Sequence, residues 1–196
     1  MKIEKCKITD FSPEEYERLF ARMSPERQAK ALRFKNEDDR KRCVAADALA
    51  RRMISEKCGK DEENIIFAED ENGKPYAENA EICFNVSHSG IYVICALSEK
   101  PVGADIEKIS KAALHALPRF ADEIETEFVG GSEEKATLLW TLKEAYLKAG
   151  GTGIAGGLGS VRFYPESGKL ACSDKSCEFT SEIIDGYIIS VCEKNE

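Results

Sequence analysis

Val102-Gly103-Ala104-Asp105-Ile106-Glu107 reads as an extended strand that sets Asp105 and Glu107 on one face and Ile106 on the other, because side chains along a strand alternate with a period of two. Two carboxylates on one face repel each other, so such a strand calls for a cation or a basic partner beside it. Hard oxygen ligands of this kind suit magnesium, which keeps some waters and takes substrate phosphate oxygens as well. The polar face of an ordinary half-exposed strand is the competing reading.

Downstream, Trp140-Thr141-Leu142-Lys143-Glu144-Ala145-Tyr146-Leu147-Lys148 has helical spacing within a predicted helix over Glu133–Ala149. Leu138, Leu142, Ala145 and Ala149 share one side, and Glu144 and Lys148 lie together on another. An i, i+4 Glu–Lys pair on an open surface contributes only about 0.2–0.5 kcal/mol. Flanking Trp140 and Leu147 argue that this one is shielded, where the Glu can join a metal site or accept a proton. Gly150-Gly151-Thr152-Gly153 stops the helix and Gly156-Gly157 prolongs the loop.

Upstream, Phe84-Asn85-Val86-Ser87-His88-Ser89 ends an apolar strand just before a glycine turn. No Gly-x-Ser-x-Gly elbow is present, which argues against a serine nucleophile. Ser87 and His88 at a strand end suit a phosphate or an adenosine edge, or else a hydrogen-bonded structural histidine.

The predicted elements continue outward from these segments. Ser12-Pro13-Glu14-Glu15 caps a helix that restarts at Ser24-Pro25 and runs toward Phe34, and Asp38–Cys58 forms a stronger helix closed by Gly59. Strands are expected at 65–67, 82–86, 91–97 and 102–106, then helices at 111–117, 121–129 and 133–149, then strands at 160–164, 177–180 and 187–192. Both halves read as helices followed by antiparallel strands, with no obvious identity between them and no low-complexity linker, so they should pack closely.

The 196 residues, 42% hydrophobic and 33% charged, describe a globular chain rather than a disordered one. No apolar run nears the roughly 18 residues needed to span a bilayer. Residues 1–10 alternate Lys, Glu and Ile without a secretory core. A cytoplasmic protein is expected, with no membrane partner. The eight cysteines form no Cys-x-x-Cys pair and the chain has two histidines, so reduced structural thiols are expected rather than zinc. The net charge is −8, yet Arg18–Lys60 carries 13 basic against 6 acidic residues. A basic segment in an acidic chain argues for a confined anion site and against a nucleic-acid surface.

Taken in order, the basic helices, Gly73-Lys74-Pro75, the Asn-Val-Ser-His-Ser strand, the Gly-x-Asp-x-Glu strand and the Trp-x-x-Lys-Glu-Ala-x-x-Lys helix resemble the 4'-phosphopantetheinyl transferase superfamily, in its larger surfactin-synthetase-activating type, from about Ser24 to Gly159. The resemblance implies an α+β fold of two similar lobes, each of helices and a small antiparallel sheet, related by a pseudo-twofold. Lobes at 1–106 and 107–196 would form one compact pseudo-dimeric unit, a monomer with its site between them. It implies transfer of phosphopantetheine from coenzyme A to a serine of an acyl or peptidyl carrier protein, with release of adenosine 3',5'-bisphosphate.

The same resemblance assigns Mg2+ to Asp105, Glu107 and Glu144, and catalysis to Glu144 as proton acceptor with Lys148 at the reacting phosphate. Ser87 and His88 would contact coenzyme phosphates, and Arg27, Lys30, Arg42 and Lys74 would line the coenzyme cleft. Leu32 stands where larger members often carry a basic residue. Glu125 best matches the acid of the middle helix, with Glu123 and Glu127 as rivals, and the chain ends sooner after its last strand than many relatives do. Two other readings use the same residues: a magnesium-dependent hydrolase of a nucleotide pyrophosphate, and a non-catalytic module binding coenzyme A or a carrier protein.

Overall fold

The computed structural model of the chain describes residues 1–151, 157–166 and 169–195. Among them the same order of elements occurs twice. The first half runs β1 (Lys2–Lys7), α1 (Pro13–Ala21), α2 (Pro25–Leu32), α3 (Glu37–Cys58), a short pair β2 (Phe67–Glu69) and β3 (Pro75–Ala77), then the hairpin β4 (Cys83–Ser89) and β5 (Tyr92–Ser98). The second runs β6 (Val102–Lys108), α4 (Lys111–Ala116), α5 (Glu123–Val129), α6 (Glu133–Gly150), the pair β7 (Phe163–Glu166) and β8 (Lys169–Cys172), then the hairpin β9 (Cys177–Ile184) and β10 (Tyr187–Lys194). One sheet has the order β1-β5-β4 and the other β6-β10-β9. In both, the half's last strand is central and antiparallel to its neighbours. This is the expected two-lobe α+β architecture.

Local chemistry sets the helix ends. Ser12 and Glu15 form a reciprocal capping box with Pro13 in the first turn of α1, which satisfies amides that have no partner inside the helix. Gly59 closes α3 at φ 65° and Gly151 closes α6 at φ 70°. Of the predicted glycine loop, Thr152, Gly153 and Gly156 lie outside the described residues.

Period-two alternation builds the layers. On β5, Val93, Cys95 and Leu97 face α3, joining Ala45, Leu49 and Met53. Tyr92, Ile94 and Ala96 face the other way and pack against Val102, Ala104 and Ile106 of β6 and Tyr187, Ile189 and Val191 of β10. The two sheets thus share one apolar interior, with α3 covering one outer face and α6 the other. Tyr92 and Tyr187 occupy matching positions in the two halves and meet edge-to-face at 5.0 Å.

Two seams join the sheets at their edges. Along the first, Asn85, Ser87 and Ser89 of β4 hydrogen-bond to β6 at Ala104 N, Asp105 and Glu107. Along the second, Lys5 and Lys7 of β1 pair with Glu182 and Asp185 of the β9 hairpin at 2.8 and 3.0 Å.

Three strands were not foreseen: β1, β3 and β8. β1 is an edge strand with lysine at Lys2, Lys5 and Lys7, the kind of charge that guards an open edge and masks the strand pattern. The sequence reading puts residues 102–106 in the first lobe; β6 hydrogen-bonds to β10, in the second sheet.

Gly103 shows why the segment begins as it does. A Cβ there would lie 2.1 Å from the Ala145 carbonyl oxygen and 2.3 Å from the Ala149 amide nitrogen, so α6 lies directly on β6. Gly103→Ala is expected to destabilise the fold by about 1–3 kcal/mol or more, read by urea denaturation. A loss under about half a kcal/mol would show that α6 can move aside.

Candidate active site

The close contact at Gly103 brings the face of β6 that carries Asp105 and Glu107 under α6, which contributes Glu144 and Lys148. Asp105 is 3% exposed and Glu144 7%. Lys148 Nζ donates to Asp105 Oδ1 at 2.6 Å and to Ser87 Oγ at 3.1 Å, and Ser87 Oγ donates to the same Asp105 oxygen at 2.9 Å. Ser89 Oγ donates to Glu107 Oε2 at 2.9 Å. Two elements of the second half and one strand of the first therefore meet at one cluster.

Its electrostatics are unbalanced. Burial first, then the charge of Asp105, raises both Glu107 and Glu144 above the ordinary 4.5, so each carboxylate is held where its ionised form is disfavoured. Asp105 Oδ2 is buried without a hydrogen-bond partner, an arrangement that costs free energy unless something fills it. Among the described residues, no three His, Cys, Asp or Glu side chains already converge at ligating distance. A cation would have to draw Glu107 and Glu144 toward the open Asp105 oxygen. Three hard carboxylates crowded in this way fit a divalent ion of the magnesium class.

The basic residues divide into two groups. His88 sits on β4 beside the N-terminal part of α3; loss of solvation first, and then the Arg42 charge, holds its ring below 6.5. Arg42 donates from Nη1 to the Gly90 carbonyl at 2.6 Å and pairs with Asp39. Lys30 is exposed, paired with Glu69 at 2.7 Å. Arg27 and Lys74 are instead engaged by the protein. Arg27 Nε lies 2.5 Å from Asp47 Oδ1, and its guanidinium sits over the Phe67 ring.

Lys74 Nζ donates to the carbonyls of Lys148 (2.6 Å), Ala149 (3.3 Å) and Val102 (3.4 Å), and burial lowers its pKa. It thus caps the C-terminal end of α6, where a cation is favoured by the helix dipole. Lys74→Met is expected to lower stability by about 1–2 kcal/mol even without ligand, measurable by denaturation of the free protein; unchanged stability would leave Lys74 no role in holding α6.

Sequence reasoning missed Lys143. It falls on the same stripe of α6 as Ala136, Leu139 and Leu147, an apolar 3–4–4 spacing that was the available signal. Lys143 and Glu125 are each 1% exposed and 2.8 Å apart. Glu127 and Glu123 do not share this pair; Glu125 is the acid that α5 turns inward.

Two family models match the chain. One, described as "4'-phosphopantetheinyl transferase, N-terminal", matches residues 10–100. The other, described as "4'-phosphopantetheinyl transferase superfamily", matches residues 101–192. They meet where the chain passes from the first sheet to the second. The sequence is 35% identical over 193 residues to 4'-phosphopantetheinyl transferase Sfp of Bacillus subtilis (strain 168), covering 92% of this chain and 86% of that protein. It is 32% identical over 194 residues to 4'-phosphopantetheinyl transferase ffp of Bacillus subtilis, with the same two coverages of 92% and 86%. With 4'-phosphopantetheinyl transferase gsp of Aneurinibacillus migulanus it shares 35% identity over 141 residues, 69% of this chain and 59% of that protein.

Proposed function

The chain belongs to the 4'-phosphopantetheinyl transferase superfamily, and on that premise we propose that it moves the 4'-phosphopantetheine arm of coenzyme A onto a serine of an acyl or peptidyl carrier protein. The observation that carries this reading is the buried, unpartnered Asp105 Oδ2 in a cluster with Glu107, Glu144 and Lys148, built where the two halves meet.

The carrier serine oxygen bonds to the β-phosphorus of coenzyme A as the bond to the bridging oxygen breaks, and adenosine 3',5'-bisphosphate leaves with that electron pair. Glu144 takes the serine proton; its raised pKa moves it toward the range where a general base works best. Lys148 sets its ammonium at the reacting phosphate and holds Asp105 in place at 2.6 Å. Asp105, Glu107 and Glu144 would hold Mg2+, which when bound neutralises charge on phosphoryl oxygens. Ser87, His88, Arg42 and Lys30 receive the anionic coenzyme, while Arg27 and Lys74 add positive charge to the same cleft from positions already tied to the protein. A single chain supplies all of these groups, which supports a monomer as the working unit. Among the described residues no helix is long and apolar enough to cross a membrane.

The test is to incubate the protein with coenzyme A, Mg2+ and an apo-carrier protein and weigh the carrier by mass spectrometry. A mass gain of one phosphopantetheine is expected. Breakdown of coenzyme A with no gain on any of several carriers would favour the hydrolase, and binding without turnover the non-catalytic module. Arg42→Ala is expected to raise KM for coenzyme A roughly tenfold, as loss of one charge-assisted hydrogen bond would, with kcat little changed. An unaltered KM would remove Arg42 from the coenzyme site.

A further inference from the structure

Asp47 lies inside α3, 2% exposed, with a cation at each of its oxygens. Arg51 donates from Nε to Oδ2 at 2.6 Å, and Arg27 Nε stands 2.5 Å from Oδ1. Both guanidinium groups also sit over the Phe67 ring, 4.8 Å from its centroid for Arg51 and 5.4 Å for Arg27. Phe67 leans in turn on Phe84 of β4, with ring centroids 5.2 Å apart. One carboxylate and one aromatic ring therefore hold two arginines from different helices.

The two arginines are used differently. Arg51 is buried and gives Nη1 to the carbonyls of Glu62 and Ile65 at 3.0 and 2.7 Å, so it fastens the approach to β2, which carries Phe67. Arg27 is only partly buried, and among the described residues no acceptor takes a hydrogen bond from its Nη groups. Its Nε and Asp47 Oδ1 are close without forming a hydrogen bond, so Asp47 holds Arg27 by charge. Two cations against one anion leave this triad with a surplus positive charge. Arg51 is enclosed and committed, so the surplus emerges at Arg27. Packed apolar residues could fill the same space without the desolvation of three charges, so the triad calls for a use of that outward charge. Arg27 lines a crevice with Phe67, Pro75, Phe84 and Val86, and Pro75 and Val86 adjoin Lys74 and Ser87 of the coenzyme cleft. We propose that Asp47 is a positioning residue for the donor: with Phe67 it fixes the inner edge of the Arg27 guanidinium, so that the two Nη groups face an anionic group of coenzyme A. An arginine held in this way loses less side-chain freedom when the anion arrives, which strengthens binding. This deepens the transferase reading and rests on it.

The experiment measures coenzyme A binding by calorimetry without a carrier, and KM and kcat with one, for the unaltered protein, Asp47→Asn, Arg27→Ala and the double variant. Asparagine keeps the shape but offers one acceptor oxygen, and its amide donors oppose the second cation. Asp47→Asn is therefore expected to weaken coenzyme binding about tenfold. KM should rise as much with kcat within about twofold, the pattern of lost binding that ground and transition states share. Arg27→Ala should do the same, and the double variant should be no worse than Arg27→Ala alone, because both act on one contact. Losses that multiply to about a hundredfold in the double variant would overturn the proposal, as would a fall in kcat and stability with KM unmoved. Asp47→Asn also loosens Arg51, so Phe67→Leu serves if that variant does not fold. It keeps the carboxylate and both arginines, and loss of the ring face should weaken coenzyme binding about two- to fivefold beside Arg27 and not at all in Arg27→Ala. The same loss in both backgrounds would overturn the proposal. Additive losses in a chain that binds coenzyme A remove the positioning role alone. If the unaltered protein binds no coenzyme A, the transferase reading falls with it.

Discussion

Replacing Lys143 by methionine is expected to lower the unfolding free energy by about 3–5 kcal/mol, the usual effect of removing one partner of a buried ion pair. Lys143 Nζ donates to Glu125 Oε2 at 2.8 Å, to the Phe120 carbonyl at 2.7 Å and to the Val161 carbonyl at 3.0 Å. Glu125 accepts in turn from the amides of Asp122 and Phe163, both at 2.9 Å. The pair thus ties α6 to α5 and to the approach to β7, with every charged atom satisfied. Methionine would fill the space but leave a carboxylate and two carbonyls without their cation, far from water. For a chain of this size the melting temperature should fall by roughly 6–20 °C.

Adding Glu125→Leu should recover part of the loss, since removing both charges takes away the uncompensated one. Recovery is expected to be partial because the Asp122 and Phe163 amides and the two carbonyls lose their partners as well. A double-mutant cycle from urea denaturation isolates the coupling. A single-variant loss under about 1 kcal/mol would mean that the pair is not buried as described.

Glu144→Gln should lower turnover at least about 10²-fold, since an amide cannot accept the serine proton. Glutamine has nearly the same shape, so Trp140, Leu147 and Lys148 keep their positions. The fold should be no less stable, because the replaced carboxylate is crowded by burial and by Asp105 and the neutral amide relieves that repulsion. The informative result is therefore a split: activity falls while denaturation does not shift downward. Near-normal turnover would remove the proton role from Glu144. Loss of turnover together with stability would instead make the residue structural.

These two sites show what the sequence makes legible. Asp105 and Glu107 share a face because alternation along six residues is a local property. Glu144 and Lys148 share one because i, i+4 spacing is local too. Lys143 also advertised its inward position, but its partner lies 18 residues away on a different helix, and nothing in the spacing names that partner. Lys74 tells the same story over a longer reach: its hydrogen bond to the Lys148 carbonyl spans 74 residues, so a residue expected in the coenzyme cleft by resemblance proves also to fasten the end of α6. β1 was hidden because an edge strand guarded by lysines lacks a continuous apolar face. The repeat of topology was legible as helices followed by antiparallel strands in each half, although no shared identities mark it, because it is carried by apolar alternation and strand order.

That repeat has a further result. If two separate copies of one half associated with twofold symmetry, both edges of contact would hold the same side chains, and each substitution would act twice. Within one polypeptide the edges are independent. By strand register Glu4 sits where Asp105 does and Cys6 where Glu107 does, yet Glu4 is bound by Lys2 and Arg52, and Lys5 and Lys7 latch the neighbouring hairpin. Covalent linkage lets one edge act as a fastener while the other stays poised and acidic, a division of labour that two identical partners could not make.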